Sequence, residues 1–199
     1  MRRIEKAMQA VLGPVLVKKD GQSVGTANIC KGRRLTLVYF SASWCAPCRK
    51  FSPRLSDFYK GKGASLSFEL VFASLDKSED AFSSYFSSME AQFAVPFGRG
   101  EELASTLGVS GIPSLHVFCE GMLVTNKGVE GLMGSPDKFP WCWGGELVGR
   151  SVKIAGLEKA AHLNGKTGVC VGGVSASERF TVLVEGETVA LKREKITVV

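Results

Sequence analysis

With 199 residues, 45% of them hydrophobic and 22% charged, the chain has the composition of a soluble globular protein and the length for one good core plus a small second unit. No run approaches the 18 or more consecutive apolar residues of a membrane-spanning helix, which excludes that class. The formal charge of +6 is uneven: residues 1–34 hold Arg2, Arg3, Lys6, Lys18, Lys19, Lys31, Arg33 and Arg34 against Glu5 and Asp20 alone.

That basic stretch is read as a solvated segment beside a sheet, with steering of acidic partners as the other reading. Its apolar part, Ala7 to Val17, resembles a secretory leader, but Lys6 and Gln9 interrupt it and no small-residue cleavage site follows, so export is not expected. A β-hairpin is expected over Val15 to Val24, turning at Asp20-Gly21. Leu35 to Phe40 reads as a buried strand, and from Cys48 onward Phe51, Leu55, Phe58 and Tyr59 recur at helical spacing. Between strand and helix stand Cys45 and Cys48, three positions apart. The first therefore sits at a helix N-terminus, where unpaired N–H groups and the helix dipole favour an anion. In such settings a thiol pKa falls from about 8.5 to roughly 3.5–7.5, and the thiolate is the reactive form. The second cysteine, one turn in, is placed to resolve a mixed disulfide.

A Cys-x-x-Cys pair can instead be half of a zinc site, but Cys30, Cys119, Cys142 and Cys170 are scattered singly and His116 and His162 have no partner at ligand spacing. No metal is expected. Isolated cysteines also differ from the disulfide framework of a secreted domain, so a reducing compartment, the cytoplasm, is expected.

Further along, Pro53 lies inside the first long helix, and Gly61 and Gly63 are expected to end it. Ser67 to Leu75 is the next strand. A helix follows from Ser78, with Glu79 and Asp80 in its first turn and a core face of Phe82, Tyr85, Phe86 and Met89. Glu101 to Leu107 is a short helix closed by Gly108, and Ser114–Cys119 and Met122–Asn126 form a hairpin. Gly144-Gly145, just after Trp141-Cys142-Trp143, marks a change to short β runs at Ser151–Ile154, Thr167–Val171, Arg179–Val184, Thr188–Leu191 and Lys195–Val199. The expected architecture is an α/β mixed sheet with helices on both faces over residues 1–143, a linker at 144–147, and a small all-β SH3-like barrel at 148–199. Three large or soft apolar residues beside that boundary are what an interdomain contact would use. The tail carries eight basic and five acidic residues and a single aromatic, Phe180, so it lacks a base-stacking platform and nucleic acid is not an expected partner.

The segment Tyr39-Phe40-Ser41-Ala42-Ser43-Trp44-Cys45-Ala46-Pro47-Cys48-Arg49 resembles the active site of the thioredoxin superfamily, in its tryparedoxin and nucleoredoxin branch. Asp76 to Phe97, the loop Gly111-Ile112-Pro113-Ser114-Leu115 and Phe139-Pro140-Trp141 resemble further signatures of that branch, so the likeness covers residues 11 to 143. It implies a thioredoxin-like fold and a thiol–disulfide oxidoreductase reducing protein disulfides, with Cys45 as nucleophile and Cys48 as resolving thiol. It also implies a substrate wall from Trp44, Ala46 and Pro47 facing Ile112 and the cis residue Pro113, with Tyr39 and Arg49 in support. No cofactor is implied. Expected partners are disulfide-containing proteins, peroxiredoxins among them, and a low-molecular-weight thiol or flavin reductase as electron donor; a monomer is expected. The rival reading is a redox-regulated binding module whose tail recruits a partner.

Three features set the chain apart, the first from many thioredoxins though shared with the tryparedoxin branch, the other two from that branch. Tyr39 stands where many thioredoxins carry a buried Asp, and a phenol of pKa about 10 is a poor base near neutrality. Met89-Glu90-Ala91 replaces Met-Pro-Trp, and Leu75 replaces a Trp common in tryparedoxins.

Overall fold

The computed structural model describes residues 3–29, 34–142, 144–174 and 177–199; Cys30, Trp143, Arg2, Lys31 and Arg33 lie outside these, as do the side chains of Arg3, Glu5 and Lys6. Helix α1 (Arg3–Leu12) precedes the hairpin β1 (Val15–Lys18) and β2 (Ser23–Gly25), then α2 (Thr26–Ile29), β3 (Leu35–Ser41) and α3 (Ala46–Lys62). Next come β4 (Phe68–Ser74), α4 (Glu79–Ser87), β5 (Phe93–Ala94), α5 (Gly100–Thr106), β6 (Ser114–Cys119), β7 (Met122–Thr125) and α6 (Gly128–Gly134). Seven strands form one sheet in the order β2-β1-β5-β4-β3-β6-β7, with β3 parallel to β4 and antiparallel to β6.

Central strands β3 and β4 are buried at every position, because helices cover both faces of the sheet. Alternation along β3 divides its side chains. Leu37 and Tyr39 join Phe51, Leu55, Phe72 and Phe86 on one face, while Val38 and Phe40 join Met8, Leu12, Val71 and Phe118 on the other. The second core exists because α1 closes it: Met8 and Leu12, four apart on one helix face, are fully buried. Of the two glycines expected to end helix α3, Gly61 lies inside it and Gly63 is its C-cap. Gly100 opens α5 against β4, where a Cβ would fall 1.8 Å from the Ser74 carbonyl oxygen, so only glycine allows that approach. Among the described residues, no helix is long and apolar enough to cross a membrane.

The second sheet holds β8 (Ser151–Ile154), β9 (Thr167–Val174), β10 (Arg179–Val184), β11 (Glu187–Lys192) and β12 (Ile196–Val198), in the order β11-β10-β9-β8-β12 and antiparallel throughout. The expected five strands are present. Among the described residues the ladder does not close between β11 and β12, so the unit is an open five-stranded antiparallel sheet, compatible with the small SH3-like unit expected but not closed as a barrel. One face of β9 and β10 buries Cys170, Phe180, Val182 and Val184 over its own small core. From the other face Val169, Val171 and Leu183 enter the core of the first sheet beside Leu35, Cys119 and Met122.

Arg34 secures this seam. Its guanidinium donates to the Gly149 carbonyl at 2.7 Å and the Ser151 hydroxyl at 3.0 Å, and lies 3.7 Å from the carboxylate of buried Glu120. Burial pushes the Glu120 carboxyl above its usual range and Arg34 opposes that shift. Removing one partner of such a pair costs about 3–5 kcal/mol when fully buried, and less here because Arg34 is partly exposed. Arg34→Ala should lower stability by about 1–3 kcal/mol in urea denaturation, and adding Glu120→Gln should recover part of it. A single variant within 0.5 kcal/mol of the parent, on the order of measurement scatter, would remove Arg34 from this role.

His116, on β6, lies between the rings of Phe40 and Phe118, with its Nδ1 buried and without a hydrogen-bond partner among the described residues. Burial holds its pKa below the ordinary value. Between the lowered folded value and about 6.5, the unfolded chain binds a proton that the folded chain refuses. Stability contributed by neutral His116 is therefore present above about pH 6.5 and lost as the pH falls towards the folded pKa. Thermal denaturation between pH 7 and 5 should show a decline that is shallower in His116→Phe; equal slopes would contradict it.

Candidate active site

Strand β3 ends at Ser41, and a turn closed by Cys45 N–H donating to the Ala42 carbonyl at 3.1 Å leads directly into α3. Cys45 is the N-cap of that helix: its backbone is extended, and its Sγ accepts the Cys48 N–H at 3.2 Å. Ala46 and Pro47 form the first turn, where a missing proline N–H costs nothing, and no acidic side chain there competes for the positive end of the dipole. Cys45 and Cys48 are joined in a disulfide, with Cα atoms 5.2 Å apart.

The two sulfurs differ in access. Cys48 is fully buried, while Cys45 retains 5% exposure, so the nucleophile expected to be open lies in a narrow slot. Trp44 forms one side, 56% exposed, its indole N–H donating to the Leu75 carbonyl at 3.2 Å. Ile112 forms the other, its carbonyl oxygen 3.6 Å from Cys45 Sγ, and the Ile112–Pro113 bond is cis. Leu75 and Ile112 pack against Ala42, Cys45 and Cys48 as an apolar floor. Ala46, Pro47 and Arg49 are exposed at the helix start, and Arg49 donates to the Ser43 carbonyl at 2.6 Å. All nine residues singled out from the sequence thus fall on one end of β3, α3 and the loop before β6, with Tyr39 one layer beneath.

Beneath Cys48 runs a chain of hydroxyls that the sequence did not disclose. Ser52 Oγ donates to the Cys48 carbonyl at 2.9 Å, since a carbonyl only accepts. Its single proton is then committed, so Tyr39 at 2.9 Å and Tyr85 at 2.7 Å must donate to Ser52. Tyr85 in turn accepts from Ser41 at 3.1 Å. Burial, more than any neighbour, pushes the Tyr39 phenol up to about 12. Tyr39 is therefore a hydrogen-bond donor that orients the backbone under Cys48, and no base for its proton. Tyr39→Phe should change the rate of disulfide exchange less than about threefold, and the pH–rate profile between pH 6 and 9 should keep its shape. A limb lost from that profile would show that the phenol titrates.

The sequence also passed over Asp76, whose buried carboxylate accepts from Ser43 N–H at 2.8 Å, Ser43 Oγ at 2.7 Å and Ser74 Oγ at 2.7 Å. The one signal was position: an acidic residue two places after a central strand and ahead of the Ser78 N-cap of α4.

A disulfide across the first turn of a helix, facing a cis-proline loop at the end of a mixed sheet, defines a thioredoxin-like dithiol–disulfide site. A thioredoxin-like family model matches residues 32–122. Nucleoredoxin of Bos taurus is 37% identical over 143 residues, spanning 68% of this chain and 32% of that protein. Tryparedoxin of Trypanosoma brucei brucei is 36% identical over 115 residues, 54% of this chain and 79% of that one. The crystal structure of native tryparedoxin I from Crithidia fasciculata superimposes with a TM-score of 0.61 at 35% identity, covering 70% of this chain and 98% of that chain. The chain belongs to the thioredoxin superfamily, in its tryparedoxin and nucleoredoxin branch, and spans about a third or less of the nucleoredoxins it matches.

Proposed function

We propose that this redox protein reduces disulfides in protein substrates through Cys45 and Cys48. The observation that carries the reading is the asymmetry of the pair: Cys45 Sγ sits at the helix N-cap in the slot between Trp44 and Ile112, while Cys48 is sealed beneath it. In the reduced protein the Cys45 thiolate attacks one sulfur of the substrate disulfide and expels the other as a thiolate. Cys48, deprotonated, then attacks Cys45 Sγ, releases the second substrate sulfur and regenerates the Cys45–Cys48 disulfide. Two electrons pass to the substrate, whose two sulfurs leave as thiols; the proton of Cys48 goes to water or to the departing thiolate. An extended substrate segment lies along Ile112 and Pro113, with Trp44, Ala46 and Pro47 as the opposite rim and Arg49 behind it. A low-molecular-weight thiol or a flavin reductase restores the reduced pair.

The likeness to tryparedoxin supports peroxiredoxins as one substrate class; the scatter of the other cysteines supports a reducing compartment such as the cytoplasm, and the protein is proposed to act as a monomer. The domain division falls at residues 144–147, with catalysis in 1–143 and the second sheet, 148–199, docked at the opposite end. That sheet meets Leu35, the first residue of β3, and the disulfide lies beyond its last; a seven-residue strand is about 23 Å long, so the slot stays open.

Reduction of an oxidised protein substrate by the prereduced protein tests the reading. Cys45→Ser should abolish turnover, and Cys48→Ser should accumulate a mixed disulfide through Cys45, visible by mass spectrometry as substrate mass added to one cysteine. Trapping by the Cys45→Ser protein would reverse the roles, and a rate no greater than that of free dithiothreitol would remove the reductase reading.

A further inference from the structure

Ser43 is the main polar anchor of the turn that carries Trp44 and Cys45, and every polar group of Ser43 is taken. Its N–H and hydroxyl both donate to Asp76 Oδ1, at 2.8 and 2.7 Å, and its carbonyl accepts from Arg49. Asp76 is 8% exposed, and its second oxygen accepts from Ser74 Oγ, a hydroxyl that also receives the Asp76 N–H at 2.9 Å. The adjacent residue, Leu75, supplies the carbonyl on which the Trp44 indole rests. The segment Ser74-Leu75-Asp76 is therefore a template against which the nucleophile's turn is moulded. Asp76 takes no part in capping α4, which Ser78 does by accepting the Ala81 N–H. A buried carboxylate is costly unless donors surround it, and these three donors all come from the ends of β3 and β4.

We propose that Asp76 is a positioning residue for Cys45: it fixes the Ser43-Trp44-Cys45 turn so that the sulfur meets the helix N-terminus and Trp44 lies over Leu75. It does so as a carboxylate hydrogen-bonded to Ser43, two residues before Cys45 in the chain, so the same group that places the sulfur also opposes its ionisation. This rests on Cys45 being the attacking thiol, which alkylation of the reduced protein with iodoacetamide, mapped by mass spectrometry, checks without any protein substrate.

The test uses the full chain, reduced, with two readouts: the apparent pKa of Cys45 from the pH dependence of alkylation, and kcat/KM for insulin reduction with dithiothreitol as donor. Asp76→Asn keeps an oxygen for Ser43 but removes the charge; the Cys45 pKa should fall below that of the parent, with kcat/KM within about threefold. Asp76→Ala leaves the Ser43 N–H and hydroxyl without their acceptor, with only Arg49 holding its carbonyl; kcat/KM should fall about tenfold or more, and the Cys45 pKa should lie above that of the Asn variant as the cap loosens. Should the Ala variant fail to fold, Ser43→Ala takes its place. It removes one of the two bonds to Asp76, and its effect on kcat/KM should be non-additive with Asp76→Asn. The proposal is overturned if Asp76→Asn leaves the Cys45 pKa unchanged, or if Asp76→Ala and Ser43→Ala lower only the melting temperature while alkylation and turnover match the parent. Alkylation at Cys48 in place of Cys45 would overturn the assignment of the nucleophile instead. Failure of insulin as a substrate leaves the alkylation arm to decide.

Discussion

Cys45 Sγ stands where a serine or aspartate oxygen ordinarily caps a helix, and the chemistry of this protein depends on that substitution of sulfur for oxygen. A capping atom must lie near the N–H of the residue three positions on, and here that residue is the second cysteine. One geometric requirement thus places both sulfurs, orients the first towards the positive end of α3 and buries the second in the turn below. Small displacements of the β3–α3 turn would cost the sulfur its N–H partner, which is why so many contacts converge on it: Asp76 and Arg49 through Ser43, Leu75 through Trp44, and the hydroxyl chain through Ser52.

Those contacts come from elements far apart in sequence, and they meet because the sheet brings β3 and β4 side by side in register, Ser41 opposite Ser74. The loops that leave the two strands emerge together at one edge. Polar groups at that edge are satisfied by one another at short range in a buried setting, where hydrogen bonds to a charged group carry about 1.5–3 kcal/mol each. At the far end of the same strands the logic is mainly apolar: Leu35, Cys119 and Met122 are covered by Val169, Val171 and Leu183, with Arg34 and Glu120 as the polar exception.

How legible this was in the sequence follows from the range of each interaction. Strands β3 and β4 are mainly apolar runs, broken only by Thr36 and Glu69 before their terminal serines, and the cysteine pair compresses its chemistry into four residues, so both could be read locally. Helix α1 could not: Ala7 to Val17 reads as one apolar stretch although Gly13-Pro14 divides it between α1 and β1, and the amphipathic face of α1 shows only once the second core is known. Helix α6 holds Gly128, Gly131 and Gly134, each unfavourable by about 1 kcal/mol relative to alanine. At Gly131 the reason is tertiary, since a Cβ there would fall 2.2 Å from the Trp141 ring. Partners of Tyr39, Ser41 and Ser43 in the site lie 13, 44 and 33 positions away, and no local pattern announces them. The barrel expected for the tail came from strand count and spacing, which do not say whether the outermost strands meet.

The double duty of β9 and β10 limits what the second sheet can offer. With Cys170, Phe180 and Val182 turned to its own core and Val169, Val171 and Leu183 turned to the first sheet, neither broad face of these strands is left for a macromolecule. What remains outward is the periphery: the unpaired edges of β11 and β12 and the turns between strands, among them the loop that Asn164 holds shut through paired amide bonds to Leu157. Substitutions that alter recruitment without loosening the protein are therefore confined to that rim, and a substitution on the faces of β9 or β10 reports on cohesion between the two sheets whatever its apparent effect on a partner.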